Sequence, residues 1–394
     1  MAKLGDVCTV VSGTTPKSSC PDYWNGTINW VTPAELTDDT DTIFESQRKI
    51  TELAVSDSGL KAFPAGTVLL SSRAPIGKVA IAGREMYCNQ GFKNLICSDA
   101  IYNRYLFYFL KSKTDYLNSL GRGATFKEIS KNIVEKIEIP LPPLEEQRQI
   151  ASVLDKVTNL IAKRRAQLDK LDLLVKSRFV EMFGDPETNP MNWPLVAIGT
   201  VTKTIDSGWS GNGKQQKKKA GEIAVLKVSA VTKGYFIPEE CKVLDNQKNI
   251  KKYVFPQKGD LLFSRANTKE MVGATAIISE DYPELILPDK LWKIRFLNIT
   301  NVFYMKSILS SKTIRNKFSA ASTGTSGSMY NVSMGKFKAI QIPMPEIGVQ
   351  NQFASFVETV EKSKSTIQQS LEKLETMKKA LMQQYFCNEE CPKK

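Results

Sequence analysis

A chain of 394 residues without a single histidine lacks the commonest general base and the commonest zinc ligand, so its chemistry has to be sought among carboxylates, lysines, cysteines and glycine-rich turns. Its seven cysteines, Cys8, Cys20, Cys88, Cys97, Cys241, Cys387 and Cys391, are odd in number and never spaced as CxxC, which argues against a disulfide framework and a usual zinc site. Cys387 and Cys391, four apart in a polar tail, read as a metal or redox pair or, more plainly, as two free thiols on a frayed terminus. The run Gly208-Trp-Ser-Gly-Asn-Gly-Lys214 reproduces the Gly-x4-Gly-Lys part of a phosphate loop, but Gln215 stands where Ser or Thr would bind Mg²⁺. No strand-to-helix context is evident, so the run reads as a basic loop extended by Lys217, Lys218 and Lys219. There is no Asn/Asp-Pro-Pro-aromatic motif with a glycine-rich cofactor turn, as a self-contained amino-methyltransferase needs. Nor is there a Pro-Asp followed by acid-x-Lys, the set that holds Mg²⁺ in many nucleases.

The groups that remain suit binding. Arg73 and Arg265 end two similar strand-like runs and read equally as forked donors to guanine or phosphate and as partners of a carboxylate inside the module. Gly121-Arg-Gly-Ala-Thr-Phe-Lys127 and Ser322-Thr-Gly-Thr-Ser-Gly-Ser328 read as loops fit to approach a sugar-phosphate backbone, or as simple turns. Tyr23, Trp24 and Trp30 read as core aromatics, because a duplex offers no unpaired base to stack. The net charge of +13 favours a polyanionic partner, nucleic acid or an anionic membrane. The longest apolar runs fall short of a membrane span and the start, MAKLGDVCTVVSG, lacks the layout of a secretory signal, so a soluble intracellular protein is expected.

These groups sit in a chain that repeats itself. Ile139-Pro-Leu-Pro-Pro-Leu-Glu-Glu-Gln-Arg-Gln-Ile-Ala-Ser-Val153 is matched without a gap, 203 residues later, by Ile342-Pro-Met-Pro-Glu-Ile-Gly-Val-Gln-Asn-Gln-Phe-Ala-Ser-Phe356, with Pro140/Pro343, Gln147/Gln350 and Ala151/Ala354 identical. Phe63 to Ala74 resembles Phe255 to Ala266, and Lys3-Leu-Gly-Asp-Val7 echoes Ala197-Ile-Gly-Thr-Val201. Each half thus reads as a mixed α+β module followed by a helix. Strands are expected at Gly66 to Ser71, Lys78 to Ala82, Gly221 to Val228 and Gly259 to Phe263, and helices at Tyr102 to Ser112 and about Val302 to Ser310.

After each proline run the pattern changes to alternating steps of four and three. Ile150, Leu154, Val157, Ile161, Leu168, Leu171 and Val175 keep one face, interrupted only by Arg164. Phe353, Val357, Val360, Ile367, Leu371, Leu374, Leu381 and Tyr385 keep the same register, with Lys364 and Lys378 as interruptions. Lone helices cannot bury such faces, and at 1.5 Å per residue each extends roughly 50 Å, so the economical partner of one is the other in an antiparallel coiled coil.

The proline-glutamine run at Ile139 to Gln147, the opening Ser12-Gly-Thr-Thr-Pro16 with Tyr23-Trp-Asn-Gly26 and Trp30-Val-Thr-Pro33, and the turn at Ser71 to Val79 resemble, in order and in duplication, the specificity subunits of type I restriction-modification systems. The second copy departs from the pattern at Ser207 to Lys214 and at Gly348-Val349. The resemblance implies an α+β chain with two target-recognition domains, 1–143 and 184–345, two spacer helices, 144–183 and 346–386, and a tail, 387–394. It implies a cytoplasmic, non-catalytic protein of a bacterium or archaeon that reads a bipartite double-stranded DNA target. Its partners would be two modification subunits and, in the cleaving complex, restriction subunits, with S-adenosylmethionine, ATP and Mg²⁺ bound by those partners. In this setting Lys17, Arg73, Lys78, Arg122, Lys127, Lys214, Lys217, Lys218, Lys219, Arg265 and Lys269 are the candidate DNA contacts. A self-contained methyltransferase or nuclease with unfamiliar motifs, and a decoy that binds modification subunits without reading DNA, are the competing readings.

Overall fold

The computed structural model describes residues 1–37, 39–73, 75–123, 127–216, 218–219, 221–245, 250–322 and 329–386. The chain divides into two compact units, one of residues 1–166 with those from 368 onward, the other of residues 167–367. Among the described residues no helix is long and apolar enough to cross a membrane.

In the first unit a five-stranded sheet runs in the order Cys8–Ser12, Lys93–Cys97, Val68–Leu70, Val79–Ala82, Thr42–Ile43, antiparallel throughout except for the last, parallel pair. All seven residues of Val68–Leu70 and Val79–Ala82 are buried, which is why both read as unbroken apolar runs. Val68, Leu70, Val79 and Ile81 face the core shared with the helix Asn103–Ser112, whereas Leu69, Ala80 and Ala82 face a second core around Val31, Phe63 and Phe92. The ladder is shorter than expected at both ends. Gly66 has φ +85°, and Ser71 turns its hydroxyl to the carbonyl of Pro75 at 2.7 Å while accepting from the Lys78 N–H at 2.8 Å.

The second unit keeps the same order, Thr202–Ser207, Leu291–Phe296, Leu261–Ser264, Thr275–Ile277, all antiparallel and without the fifth strand. Each unit has a second sheet, Lys49–Ile50, Trp24–Val31, Tyr87–Cys88 in the first and, with one more strand at its edge, Gly213–Lys214, Cys241–Leu244, Ala224–Leu226, Leu285–Ile286 in the second. In both units a short antiparallel pair ties the start of the module to its end, Ala2–Lys3 with Glu138–Ile139 and Leu195–Ala197 with Gln341–Pro343.

The repeated prolines and glutamines form one recurring joint. Gln147 is fully buried; its Oε1 accepts from the Tyr102 N–H at 2.8 Å, and its Nε2 donates to the carbonyls of Ala100 at 3.1 Å and Pro142 at 2.8 Å. Tyr102 is the N-cap of the helix Asn103–Ser112, so one side chain fastens a module helix to the turn that starts the long helix. Gln350 does the same, accepting from the N-cap residue Asn301 at 2.8 Å and donating to Pro345 at 2.7 Å and to Ile299 at 3.5 Å. The Tyr105 hydroxyl donates to the carbonyl of Pro140, and the Tyr304 hydroxyl to that of Pro343.

The long helices are Leu144–Phe183 and Ile347–Phe386, 40 residues each. In the first unit the head of one lies against the tail of the other: Ile150 and Leu154 share a core with Leu381, Met382, Tyr385 and Phe386, and Arg165 meets Glu375 at 2.9 Å. In the second unit Val175, Phe179 and Phe183 share a core with Phe353 and Val357, and Lys364 meets Asp172 at 2.8 Å. Head against tail in each unit makes the pairing antiparallel. Ile150, Leu154, Val157, Ile161, Phe353, Val357, Val360 and Leu371 are buried, while Leu168, Leu171, Val175, Ile367, Leu374 and Leu381 are half-buried. Burial pulls the Lys378 ammonium below its ordinary value, with Lys111 nearby adding to the shift.

Replacing Gln147 or Gln350 by Ala strands a backbone N–H and buried carbonyls, at a cost of about 1–3 kcal/mol each. A lowered urea midpoint is the expected reading; an unchanged one would show that water takes over the three bonds.

Candidate nucleic-acid interface

Three candidate cations of the first module, Arg73, Arg122 and Lys127, are brought together around Glu128. Arg73 follows the buried strand Val68–Leu70 and points its Nη1 to within 3.9 Å of the Glu128 carboxylate. Arg122 is exposed and exchanges two backbone hydrogen bonds with Glu128, at 3.0 and 2.9 Å, which brings the exposed Lys127 to the same place. Glu128 also takes the Lys93 Nζ at 3.1 Å, and the Lys93 side chain is only 9% exposed. Beside this group lies a cleft of about 430 Å³ lined by Thr32, Pro33, Arg73, Asn89, Gly91 and Glu128. Lys78 is half-buried at the far end of the Ser71 turn, and Lys17 is exposed on a turn whose carbonyl accepts from Trp24 Nε1 at 3.4 Å.

The aromatics of the opening are committed to the module itself. Trp30 is buried and its Nε1 donates to the carbonyl of Thr14 at 3.0 Å; Trp24 meets it edge-on at 5.2 Å, and Arg48 lies over Trp24 at 3.9 Å. Tyr23 donates to Asp57 at 3.1 Å.

In the second module Arg265 directly follows the strand Leu261–Ser264 and holds the backbone place of Ser72, its N–H on the carbonyl of Lys290 and its carbonyl accepting from Val332 as those of Ser72 do with Gly91 and Ile129, so it lies one residue out of step with Arg73. Its Nε donates to the carbonyl of Asp289 at 2.8 Å, and its Nη2 lies 4.0 Å from the Asp289 carboxylate. The Ser210 hydroxyl bonds the same carboxylate, so the run from Gly208 to Lys214 starts beside Arg265. That run does not form a phosphate loop. The Trp209 N–H donates to the carbonyl of Leu287 at 2.9 Å, a Cβ on Gly208 would collide with that same oxygen, and the run continues into the strand Gly213–Lys214 where a phosphate loop continues into a helix. Lys214 is exposed on this strand. Lys218 is half-buried on Glu284 at 2.9 Å, a pairing that holds the Glu284 carboxyl below its ordinary range. Lys219 is exposed, and its N–H donates to Glu222. Lys269 is exposed, with its carbonyl accepting from Ser319 at 3.1 Å. Lys217, residues 124–126 of the loop 121–127, residues 323–328, Cys387 and Cys391 lie outside the described residues.

Lys93, Glu128 and Asp289 organise these clusters and are absent from the sequence-based set. Glu128 lies 55 positions from Arg73 and Asp289 lies 24 from Arg265, and neither falls in a motif, so only the fold reveals them.

The family model for the type I restriction modification DNA specificity domain matches residues 1–171 and again 190–376, one match to each copy of the repeat. The chain is 35% identical over 317 residues to the specificity subunit of the type I restriction enzyme MjaIX of Methanocaldococcus jannaschii, covering 79% of this chain and 67% of that relative. It is 23% identical over 317 residues to the EcoKI specificity subunit of Escherichia coli, covering 74% of this chain and 67% of that relative. Among solved structures, the S subunit of a type I restriction-modification system from M. genitalium superposes with a TM-score of 0.57 at 13% identity, over 98% of this chain and 95% of that one. A chain from a structure of type I R-M complex assembly gives 0.56 at 18%, over 98% and 96%. These two likenesses fix the fold. With the family model covering both copies and more than a third of the aligned residues shared with the MjaIX subunit, the chain belongs to the family of type I restriction-modification DNA specificity subunits.

Proposed function

We propose that this chain reads a split DNA target for a type I restriction-modification assembly, one half-site per module, and leaves methyl transfer and cleavage to its partners. The observation that carries the reading is the duplication itself: two modules that share a four-strand order, each fastened by a buried glutamine to a long helix. A reader of two separated half-sites needs two such surfaces and a stiff connection between them. The partners are two modification subunits that carry S-adenosylmethionine to adenine, and restriction subunits that carry ATP and Mg²⁺. Lys17, Lys78, Arg122, Lys127 and Arg73 serve the first half-site; Lys214, Lys217, Lys218, Lys219, Lys269 and Arg265 serve the second.

Isothermal titration tests the division of labour. The purified chain is expected to bind S-adenosylmethionine no better than a control protein and to methylate duplex DNA only after a modification subunit is added; stoichiometric cofactor binding by the chain alone would sink the reading.

Replacing Lys217, Lys218 and Lys219 together by Ala should weaken DNA binding by the complex nearly evenly across sequences, because phosphate contacts release counterions without reading bases. Lys218 already shares its charge with Glu284, so the log-affinity against log-salt slope is expected to fall by less than the roughly 2.7 that three full phosphate contacts would remove. An unchanged slope takes this segment out of the interface.

The helices are the proposed ruler. One heptad inserted in each, near Leu168 and Leu371, keeps the register and adds about 10 Å, near three base-pair rises. Selection from DNA with randomised gap lengths should return a wider preferred gap, tempered by the helical rotation of DNA, and one insertion alone should do worse. A protein that binds with both insertions yet keeps the original gap would show that spacing is set elsewhere.

A further inference from the structure

The backbone bridge that joins Arg73 to Glu128 in the first module recurs in the second, where Ala266 faces Asn331 in the same antiparallel place. Just before it, Ser72 and Arg265 make matching backbone bonds, to Gly91 and Ile129 in one module and to Lys290 and Val332 in the other. The bridge is kept and the charged pair upon it is not. A fold that closes equally over alanine and asparagine does not depend on the arginine or the glutamate, so both are available for a task that differs between the modules.

Both charges line the cleft of about 430 Å³, and neither is satisfied there. Among the described residues the Arg73 side chain donates no hydrogen bond; its Nη1 stops 3.9 Å from Glu128 Oε2. The other carboxylate oxygen, Oε1, is held at 3.1 Å by the nearly buried Lys93. Elsewhere in the lining, the Thr32 hydroxyl donates to Glu35 at 2.9 Å, and the Asn89 side-chain oxygen accepts from the Gly91 N–H at 2.9 Å. The cleft therefore offers a ligand a forked charged donor beside a single charged acceptor. A phosphate suits the exposed Arg122 and Lys127 alongside, but in the cleft it meets the like charge of Glu128. A neutral edge carrying two acceptors and then one donor fits instead. In the major groove that order belongs to a G·C pair, with N7 and O6 of guanine followed by the amino group of cytosine. An A·T pair presents acceptor, donor, acceptor, which sets its middle donor against the arginine.

We propose that Arg73 and Glu128 together read one G·C base pair in the half-site of the first module, Arg73 taking the guanine and Glu128 its cytosine, with Lys93 as the positioning residue that holds the carboxylate. The proposal rests on the DNA-reading function above and names one base pair of the target. The second module has Ala266 and Asn331 at the same bridge, so its half-site is read by other residues.

The test uses the full chain assembled with its modification subunits. The complex selects binding sites from duplexes randomised in both half-sites, and the selected duplex is titrated by anisotropy from about 50 to 300 mM salt. Wild-type selection should return a G·C pair whose replacement by any other pair weakens binding roughly tenfold or more. Arg73→Ala should make that one position degenerate while leaving the other half-site and the salt slope nearly as they were. Glu128→Gln should lose selectivity at the same pair, because Lys93 holds the amide oxygen and turns the amide N–H toward the cytosine amino group. Arg73→Ala combined with Glu128→Asn copies the pair of the second module; it should melt near the wild type and show the combined loss. Equal weakening of all duplexes by Arg73→Ala, with the log-affinity against log-salt slope lowered by about 0.9, overturns the proposal in favour of phosphate contact. Wild-type selectivity in a well-folded Arg73→Ala complex overturns it in favour of a structural role. Relaxation at an A·T pair, or at different pairs in the two single variants, overturns the joint reading. If Arg73→Ala does not fold, Arg73→Gln decides, and an unchanged guanine preference in that folded complex defeats the proposal. A wild-type complex that selects a sequence with no pair sensitive to Arg73 ends the proposal and leaves the DNA-reading function standing. A wild-type complex that selects no sequence removes both.

Discussion

Everything in this chain is hung from one buried amide in each copy. A glutamine side chain at the start of a long helix has one acceptor and two donors, and the joint uses all three around Gln147: the N–H that begins a module helix, the carbonyl just before it, and the carbonyl of a proline. Burying these groups unpaired would cost more than they return paired, so the joint is narrow in what it accepts. Glutamate could not donate, leucine could neither donate nor accept, and asparagine would fall a methylene short. The long helix therefore leaves each module at an angle fixed by hydrogen bonds rather than by apolar packing alone, which a reader of DNA requires of the element that carries it.

Around that joint the two copies solve the same problems with different chemistry. At the residue after the strand-opening glycine, Thr67 donates its hydroxyl to the carbonyl of Pro64 at 2.7 Å, a neutral bond. Its counterpart Asp260 is fully buried and takes Arg295 at 2.6 Å, Lys293 at 3.0 Å and the Gln257 N–H at 2.7 Å. A buried carboxylate is tolerated only when paired and hydrogen-bonded, and here every partner is supplied by the neighbouring strand or the preceding turn. The sheet order survives the exchange because it depends on which residues are apolar and not on how the polar exceptions are satisfied.

That distinction also decides what the sequence could tell. The long helices were legible because steps of four and three mark a helix face wherever they occur, and the proline-glutamine run was legible as a repeat, although not as a joint. The helix face was traced too short. Phe179 and Phe183 continue from Val175 by two steps of four and bridge the partner helix to the module, meeting Phe353 at 5.6 and 5.4 Å and Tyr304 at 5.8 and 4.9 Å. The strands Thr42–Ile43 and Gly213–Lys214 are pieces of two residues whose pairing comes from distant chain, and no local pattern announces them. Glu128 and Asp289 escaped for the same reason, since a carboxylate beside an arginine in space leaves no trace in spacing.

Phe386 carries a consequence for the order in which the molecule can be completed. It packs on Tyr105 at 5.2 Å and Phe109 at 5.9 Å, so the core of the first unit contains a ring that lies 281 positions further along the chain than Tyr105. On the ribosome, residues 167–367 emerge with all of their own partners already made, whereas residues 1–166 emerge early and wait with an apolar groove open until residues 368–386 arrive. The later-synthesised unit is thus the first able to finish, and the earlier one stays dependent on a long-range closure that is slow and leaves sticky surface uncovered in the interval.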